Sequence, residues 1–163
     1  MAVEFSPTVE IVPLSQDRIL AAAELYHDVW HQTQAPLQDV HIAKSRGPTF
    51  FQARLGKWRN CTLLAQRGEG ILGLSSWQGS VLKALFVQSK FQHLGFGSAL
   101  LWATEKELQG DEITLQCICG NDSALRFYQR HGWKLDYTLN SPVETDNGQF
   151  NTPSWQMVKR RNP

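Results

Sequence analysis

The sequence predicts one mixed α/β domain over residues 1–163, and three observations carry that expectation. The length of 163 residues suits a single domain. Apolar residues make up 42% of the chain, with six Trp and eight Phe among them, enough to fill a core and to exclude a disordered or fibrous chain. Strand and helix periodicities follow one another as strand, two helices, three strands on short turns, helix, strand, helix and two strands. That order is not a regular βαβ alternation, and it contains one helical crossover, between Val87 and Glu112.

The elements can be justified in turn. Val9 to Leu14 reads as an edge strand, because Pro13 cannot donate to a ladder. Ser15 is placed to cap the first helix with Asp17 in its first turn, and Ile19, Leu20, Ala23, His27 and Trp30 share one helical face. Gln32 to Pro48 is polar and turn-rich, with one helical turn at Val40 to Ser45. Thr49 and Gln52 have capping-box spacing for a helix through Phe51, Leu55 and Trp58. Cys61–Gln66 and Ile71–Trp77 form a hairpin across Arg67-Gly68-Glu69-Gly70, and Val81–Val87 follows as a more hydrophobic strand. A helix from Ser98 to Gln109 is closed by Gly110, Glu112–Ile118 is a strand, and Asn121 to His131 is a helix closed by Gly132. Trp133–Leu139 and Trp155–Lys159 read as final strands flanking a polar loop from Asn140 to Pro153.

Charge and cysteine content narrow the class. Sixteen basic against fifteen acidic residues leave a net charge of +1, which lacks the footprint of a nucleic-acid binder. The basic cluster Lys159-Arg160-Arg161 is expected to be a solvated tail. Three Cys with Cys117-Ile118-Cys119 spacing match neither a redox motif nor a zinc site, so no metal is expected and Cys117 and Cys119 read as core or cleft residues. The N-terminal stretch MAVEFSPTVEIV has no basic region followed by an apolar one, and no run approaches the roughly 18 apolar residues of a membrane span. The expectation is a cytoplasmic protein with no membrane partner.

The informative stretch runs from Leu85 to Leu101. A buried strand ends, Gln92-His93-Leu94-Gly95-Phe96-Gly97 forms a glycine loop, and an amphipathic helix starts directly after it. Unpaired N–H groups at a helix N-terminus, approached closely past glycine, make an anion site; a plain tight strand-to-helix turn reads the same residues equally well. A third glycine for a dinucleotide fingerprint is missing, as is the Gly-Lys-Ser/Thr of a P-loop. Downstream, Asn121 opens a helix holding Ala124 and Phe127-Tyr128, followed by Gly132-Trp133.

Taken in this order, Ala84-Leu85-Phe86-Val87 with the glycine loop and Asn121-x-x-Ala124-x-x-Phe127-Tyr128-x-x-x-Gly132-Trp133 resemble the GNAT family, the Gcn5-related N-acetyltransferases. The resemblance is densest from Ser80 to Asp136. It implies a central, mostly antiparallel, splayed sheet flanked by helices, with acetyl-CoA as cosubstrate between Val81–Val87 and Glu112–Ile118. By similarity, the pantetheine arm would pair with the main chain of Leu85, Phe86 and Val87. The pyrophosphate would rest on N–H groups of the segment Gln92, His93, Leu94, Gly95, Phe96, Gly97 and Ser98. Asn121, Ala124 and Phe127 would touch the cofactor, and Tyr128 would act as general acid toward the leaving thiolate. A phenol with an ordinary pKa near ~10 stays protonated at pH 7 and suits that role. An N–H near Val87 would meet the oxyanion.

The resemblance leaves the acceptor open. Leu94 stands where family members often have Lys or Arg, so positive charge would come from Lys90, His93 or the helix dipole. Ser89-Lys90 replaces a common proline. No general base is readable among Glu24, His27, Asp28 and His31, and Trp30, Trp58, Trp77 and Tyr26 are either an aromatic acceptor wall or core. The leading expectation is acetyl transfer to an amine; the alternative is a non-catalytic acyl-CoA-binding regulatory module of the same fold. A homodimer is compatible with either.

Overall fold

The structure, a computed structural model, describes residues 8–161. The N-terminal stretch read for a targeting signal lies mostly outside the described residues.

Seven strands form one sheet in the order β1-β2-β3-β4-β5-β7-β6: β1 (Val9–Pro13), β2 (Thr62–Arg67), β3 (Gly70–Gln78), β4 (Val81–Val87), β5 (Glu112–Ile118), β6 (Lys134–Thr145) and β7 (Gly148–Arg160). Every neighbour is antiparallel except β4 and β5. Those two are joined by the crossover helix α4 (Phe96–Glu107), as a parallel pair requires. They pair only at Val81↔Thr114 and Leu82↔Leu115, then part. A bulge in β4 at Lys83, opposite Ser76/Trp77 of β3, adds twist beside the point of parting. The sheet is therefore mostly antiparallel and splayed at its middle, with helices on both faces.

Strand alternation assigns those faces. Leu74 of β3 and Ala84 and Phe86 of β4 pack with α1 (Ile19–Thr33) and α3 (Pro48–Lys57) in one core cluster. Tyr26 of α1 sits at its centre, 4.7 Å from the Phe51 ring and 4.9 Å from that of Phe86. On the opposite face Ser75 bonds Thr104 of α4 at 2.6 Å, and Leu85 and Val87 pack with Leu100. The short helices α2 (Val40–Lys44) and α5 (Asp122–Arg130) complete the layers.

Several local expectations are corrected. Ser15 does not cap the backbone; its hydroxyl donates to Asp17 at 2.6 Å, ahead of a 3₁₀ turn at Gln16–Arg18. Leu20 is 68% exposed, because the buried stripe of α1 runs through Ala22, Leu25, Tyr26 and Val29 instead. Thr49 forms no capping box: α3 starts one residue earlier at Pro48, whose fixed φ and missing N–H suit the first helical position, with Gly47 as the cap.

The segment Asn140–Pro153 is not a loop. It extends β6 and β7 into one long hairpin closed at Asp146-Asn147, with Thr145 opposite Gly148 at φ +104°. Polar composition hid the alternation of half-buried Ser141, Val143 and Thr145 with exposed neighbours. Pro142 is tolerated on an edge strand. Pro153 lies just past the last residue that pairs with β5, Ser154 opposite Ile118.

The basic cluster is not a solvated tail either. Lys159 Nζ bonds both carboxylate oxygens of Glu105, at 3.0 and 3.1 Å, and the carbonyl of His131 at 2.8 Å. Arg160 pairs with Glu112 at 3.1 Å. The Arg161 guanidinium donates to the carbonyls of Glu105, Leu108 and Gly110, closing the C-terminus of α4.

Candidate active site

The parting of β4 and β5 opens a cavity of about 750 Å³. It crosses the sheet. Ala84 and Phe86 line it with Tyr26, Val29, Trp30 and Arg54 from the α1/α3 face. From the other face come Leu85 and Val87, the α4 entry and α5. Residues 84–87 of β4 pair with β3, and none of residues 83–87 has a partner on the β5 side, so one edge of main-chain N–H and C=O groups faces the gap.

The loop that enters α4 is shaped by two left-handed residues. Gly95 has φ +90° and caps the helix, and His93 has φ +63°. A Cβ at Gly95 would meet no atom within 4 Å, so the glycine answers to backbone conformation and leaves open space above the turn. Gln92 braces the loop by donating to the carbonyl of Val87 at 3.1 Å. The first bond of the helix turn is Ala99 N–H to Gly95 O; the N–H groups of Phe96, Gly97 and Ser98 precede it, at the positive end of the helix dipole.

Across the cavity, Asn121 caps α5, its Oδ1 accepting from Ala124 N–H at 3.3 Å. Ala124 and Phe127 line the wall, and a Cβ on Gly97 would lie 3.5 Å from the Phe127 ring. Tyr128 lies behind, 9% exposed and wedged between Phe127 (5.2 Å) and Trp133 (6.1 Å). Burial raises its phenol above the ordinary pKa of 10, and the neighbouring Cys117 adds to the effect. Burial likewise pushes the Cys117 thiol up to about 12, which removes it as a nucleophile at neutral pH.

The residues expected from the sequence divide cleanly. From the strand, Leu85, Phe86 and Val87 line the cavity; from the loop and helix entry, Gln92, His93, Gly95, Gly97 and Ser98 do; from α5, Asn121, Ala124, Phe127 and Tyr128 do. Leu94 and Phe96 do not. Leu94 points to solvent at 61% exposure, and Phe96 packs against Phe91 beneath the Arg67 guanidinium. The Ser98 hydroxyl is engaged by His131 Nε2 at 3.0 Å. Of the aromatic acceptor candidates, Tyr26 and Trp30 line the cavity while Trp58 and Trp77 lie outside it.

None of Glu24, His27, Asp28 and His31 lines the cavity. His27 pairs with Asp28 at 3.0 Å, and His31 bonds the carbonyl of Arg46 at 2.6 Å. Among the described residues no group of His, Cys, Asp or Glu is placed to hold a metal ion, and no helix is long and apolar enough to cross a membrane. The sequence reading missed Arg54, Lys83, Gln116 and Arg130 as lining residues. Nothing in their local pattern marks them, since only the tertiary packing brings α3 and the two strands to one cavity.

Comparison with known proteins agrees with this geometry. Residues 58–135 match the model of the acetyltransferase (GNAT) domain. No curated protein sequence matches. Among solved structures, a GCN5-related N-acetyltransferase from Rhodopseudomonas palustris shares 18% identity at a TM-score of 0.73, covering 98% of this chain and 99% of that one. The PaiA N-acetyltransferase of Thermoplasma acidophilum, solved in complex with coenzyme A, shares 18% identity at 0.67, covering 94% and 99%. The ribosomal-protein-S18-alanine N-acetyltransferase of Escherichia coli shares 15% identity at 0.67, covering 96% of each chain. Residues 58–135, across the centre of the cavity, thus match the GNAT acetyltransferase domain, and the fold of the chain matches that of GNAT N-acetyltransferases end to end.

Proposed function

We propose that residues 1–163 form one catalytic domain that transfers an acetyl group from acetyl-CoA to the amine of an acceptor. The observation that carries this reading is the cavity itself: it crosses the sheet beside the unpaired edge of β4, with the helix entry at Gly95–Ser98 on one face and Tyr26 and Trp30 on the other. An extended pantetheine arm suits the free main-chain edge of Leu85–Val87. A pyrophosphate suits the N–H groups around Gly95, because they combine open space with the helix dipole. Asn121 and Phe127 would flank the arm. This arrangement supplies anion stabilisation without Lys or Arg at position 94.

In the proposed reaction the amine nitrogen forms a bond to the thioester carbonyl, and the carbon–sulfur bond then breaks. The proton lost by the amine passes to water, as no carboxylate lines the cavity among the described residues. Tyr128 gives its proton to the departing thiolate and regains one from solvent. Its raised pKa keeps the phenol protonated at neutral pH. The three cysteines are free thiols, in keeping with the cytoplasmic location proposed from their spacing.

The test is thermal melting with and without acetyl-CoA, on wild type and on Gly97→Trp. Gly97 is the better site for a block than Gly95, since it needs no positive φ and its Cβ vector runs toward Phe127 and Val87. Wild type is expected to melt several degrees higher with ligand at about 100 times its Kd, which corresponds to ~2.7 kcal/mol. Gly97→Trp is expected to lose the rise. No rise in wild type sinks the proposal.

A further inference from the structure

We infer that the acceptor amine also carries a carboxylate, and that Arg54 receives it on the α1/α3 face of the cavity. The inference rests on the acetyl-transfer reading and adds the chemical class of the acceptor.

Three observations lead there. The charged residues lining the cavity are Arg54, Lys83 and Arg130, all cationic; among the described lining residues there is no Asp or Glu. A second amine cation in the acceptor would find no counter-ion, whereas an anion would. Arg130 sits on α5 with Phe127 and Tyr128, on the face of the glycine loop, and Lys83 is the bulged residue of β4, between Leu82 and Ala84. Arg54 lies on the opposite face, with Tyr26 and Trp30, where the acceptor must enter if the acyl donor occupies the loop side.

Arg54 is also held in place without being neutralised. Its guanidinium donates to the Tyr26 hydroxyl at 3.3 Å and lies over the rings of Phe50 (4.6 Å) and Trp58 (5.0 Å). Among the described residues no carboxylate forms an ion pair with it. Arg46 lies over Phe50 as well, at 4.0 Å, so two guanidinium groups share one ring. Burial first, and Arg54 second, hold the Arg46 pKa below its ordinary value. A stacked, partly buried arginine with donors to spare loses little freedom on gripping a planar carboxylate. The Arg54 cation, without a carboxylate partner, beside an apolar wall of Tyr26, Val29 and Trp30 describes a pocket for an amino acid rather than a polyamine.

The experiment compares matched reaction products on CoA-loaded protein, so that it does not depend on guessing the natural acceptor. N-acetylphenylalanine and N-acetylphenethylamine, which differ by one carboxylate, are titrated calorimetrically, and N-acetylmethionine and its decarboxylated counterpart serve as a second pair. Wild type is expected to bind the acids about tenfold to a hundredfold more tightly. Arg54→Gln is expected to erase that difference while keeping the CoA-induced rise in melting temperature; Arg54→Lys, which retains charge and packing, should keep part of it. Equal affinity within both pairs, including no binding of either member, overturns the inference, as does a preference that survives in Arg54→Gln. A wild type that shows no melting response to acetyl-CoA overturns the acetyl-transfer reading itself and is told apart by that response alone.

Discussion

Tyr128 owes its proposed role to its surroundings more than to its chemistry as a phenol. Among the described residues its hydroxyl has no hydrogen-bond partner, and the ring is fixed by Phe127 and Trp133. Tyr128→Phe should therefore change stability by less than about 1 kcal/mol, since no bond is lost. kcat for acetyl transfer should fall by ~10²–10⁴, with KM for acetyl-CoA unchanged, in a thiol-release assay. The pH profile gives a separate check. The phenol must be protonated to donate, and burial raises its pKa above 10, so wild-type activity should persist to pH 10 and decline only above it. An alkaline limb below pH 10 would remove Tyr128 as the acid. At this scale the sequence was informative wherever a residue's role follows from its neighbours in the chain, as for Gly95 before a helix or Asn121 at a cap. Arg54 was not legible, because its meaning depends on a cavity that α3 reaches only after folding.

At the scale of elements, α4 is the piece that both shapes the glycine turn and closes the crossover, and its two ends are secured differently. The N-terminal end begins on Gly95 in the left-handed region. The C-terminal end is capped by a side chain from the far end of the chain, with Arg161 donating to the carbonyls of Glu105, Leu108 and Gly110. Charged hydrogen bonds of this kind contribute about 1.5–3 kcal/mol. Arg161→Ala should lower the melting temperature by about 3–10 °C, whereas Arg160→Ala should shift it by less than about 2 °C. The Arg160–Glu112 pair is 72% and 55% exposed, and exposed pairs are worth little. Equal shifts for the two variants would refute this assignment. Lys159-Arg160-Arg161 looks like a tail in the sequence because a charge run has no periodicity; its partners on α4 are about 50 residues away. The hairpin β6–β7 escaped for a related reason, since polar alternation with two prolines imitates a loop until the strands are seen to pair.

Taken whole, the molecule is two sheet halves, β1–β4 and β5–β7 with β6, joined by two registered residue pairs and the crossover α4. The strand order and the strand limits at Val81–Val87 and Glu112–Ile118 follow from hydrophobic pattern and turn chemistry, but the width of the gap does not. It arises where β4, bulged at Lys83, twists away from β5 while helices pack on both faces. Such a joint leaves the β5-facing amides of residues 83–87 without a strand partner, so they should exchange with solvent faster than β3-facing amides of the same strand. A ligand that adds an extended segment to this edge should slow them selectively. With acetyl-CoA at about 100 times its Kd, exchange in residues 83–87 and in the turn at 95–98 is expected to slow by up to ~100-fold. The tip of the hairpin at 143–150 opens by local fraying away from the cavity and should be unaffected. Slowing spread evenly over the sheet would mean that the ligand only raises global stability, and protection confined to the turn would show that the free edge of β4 takes no part in binding.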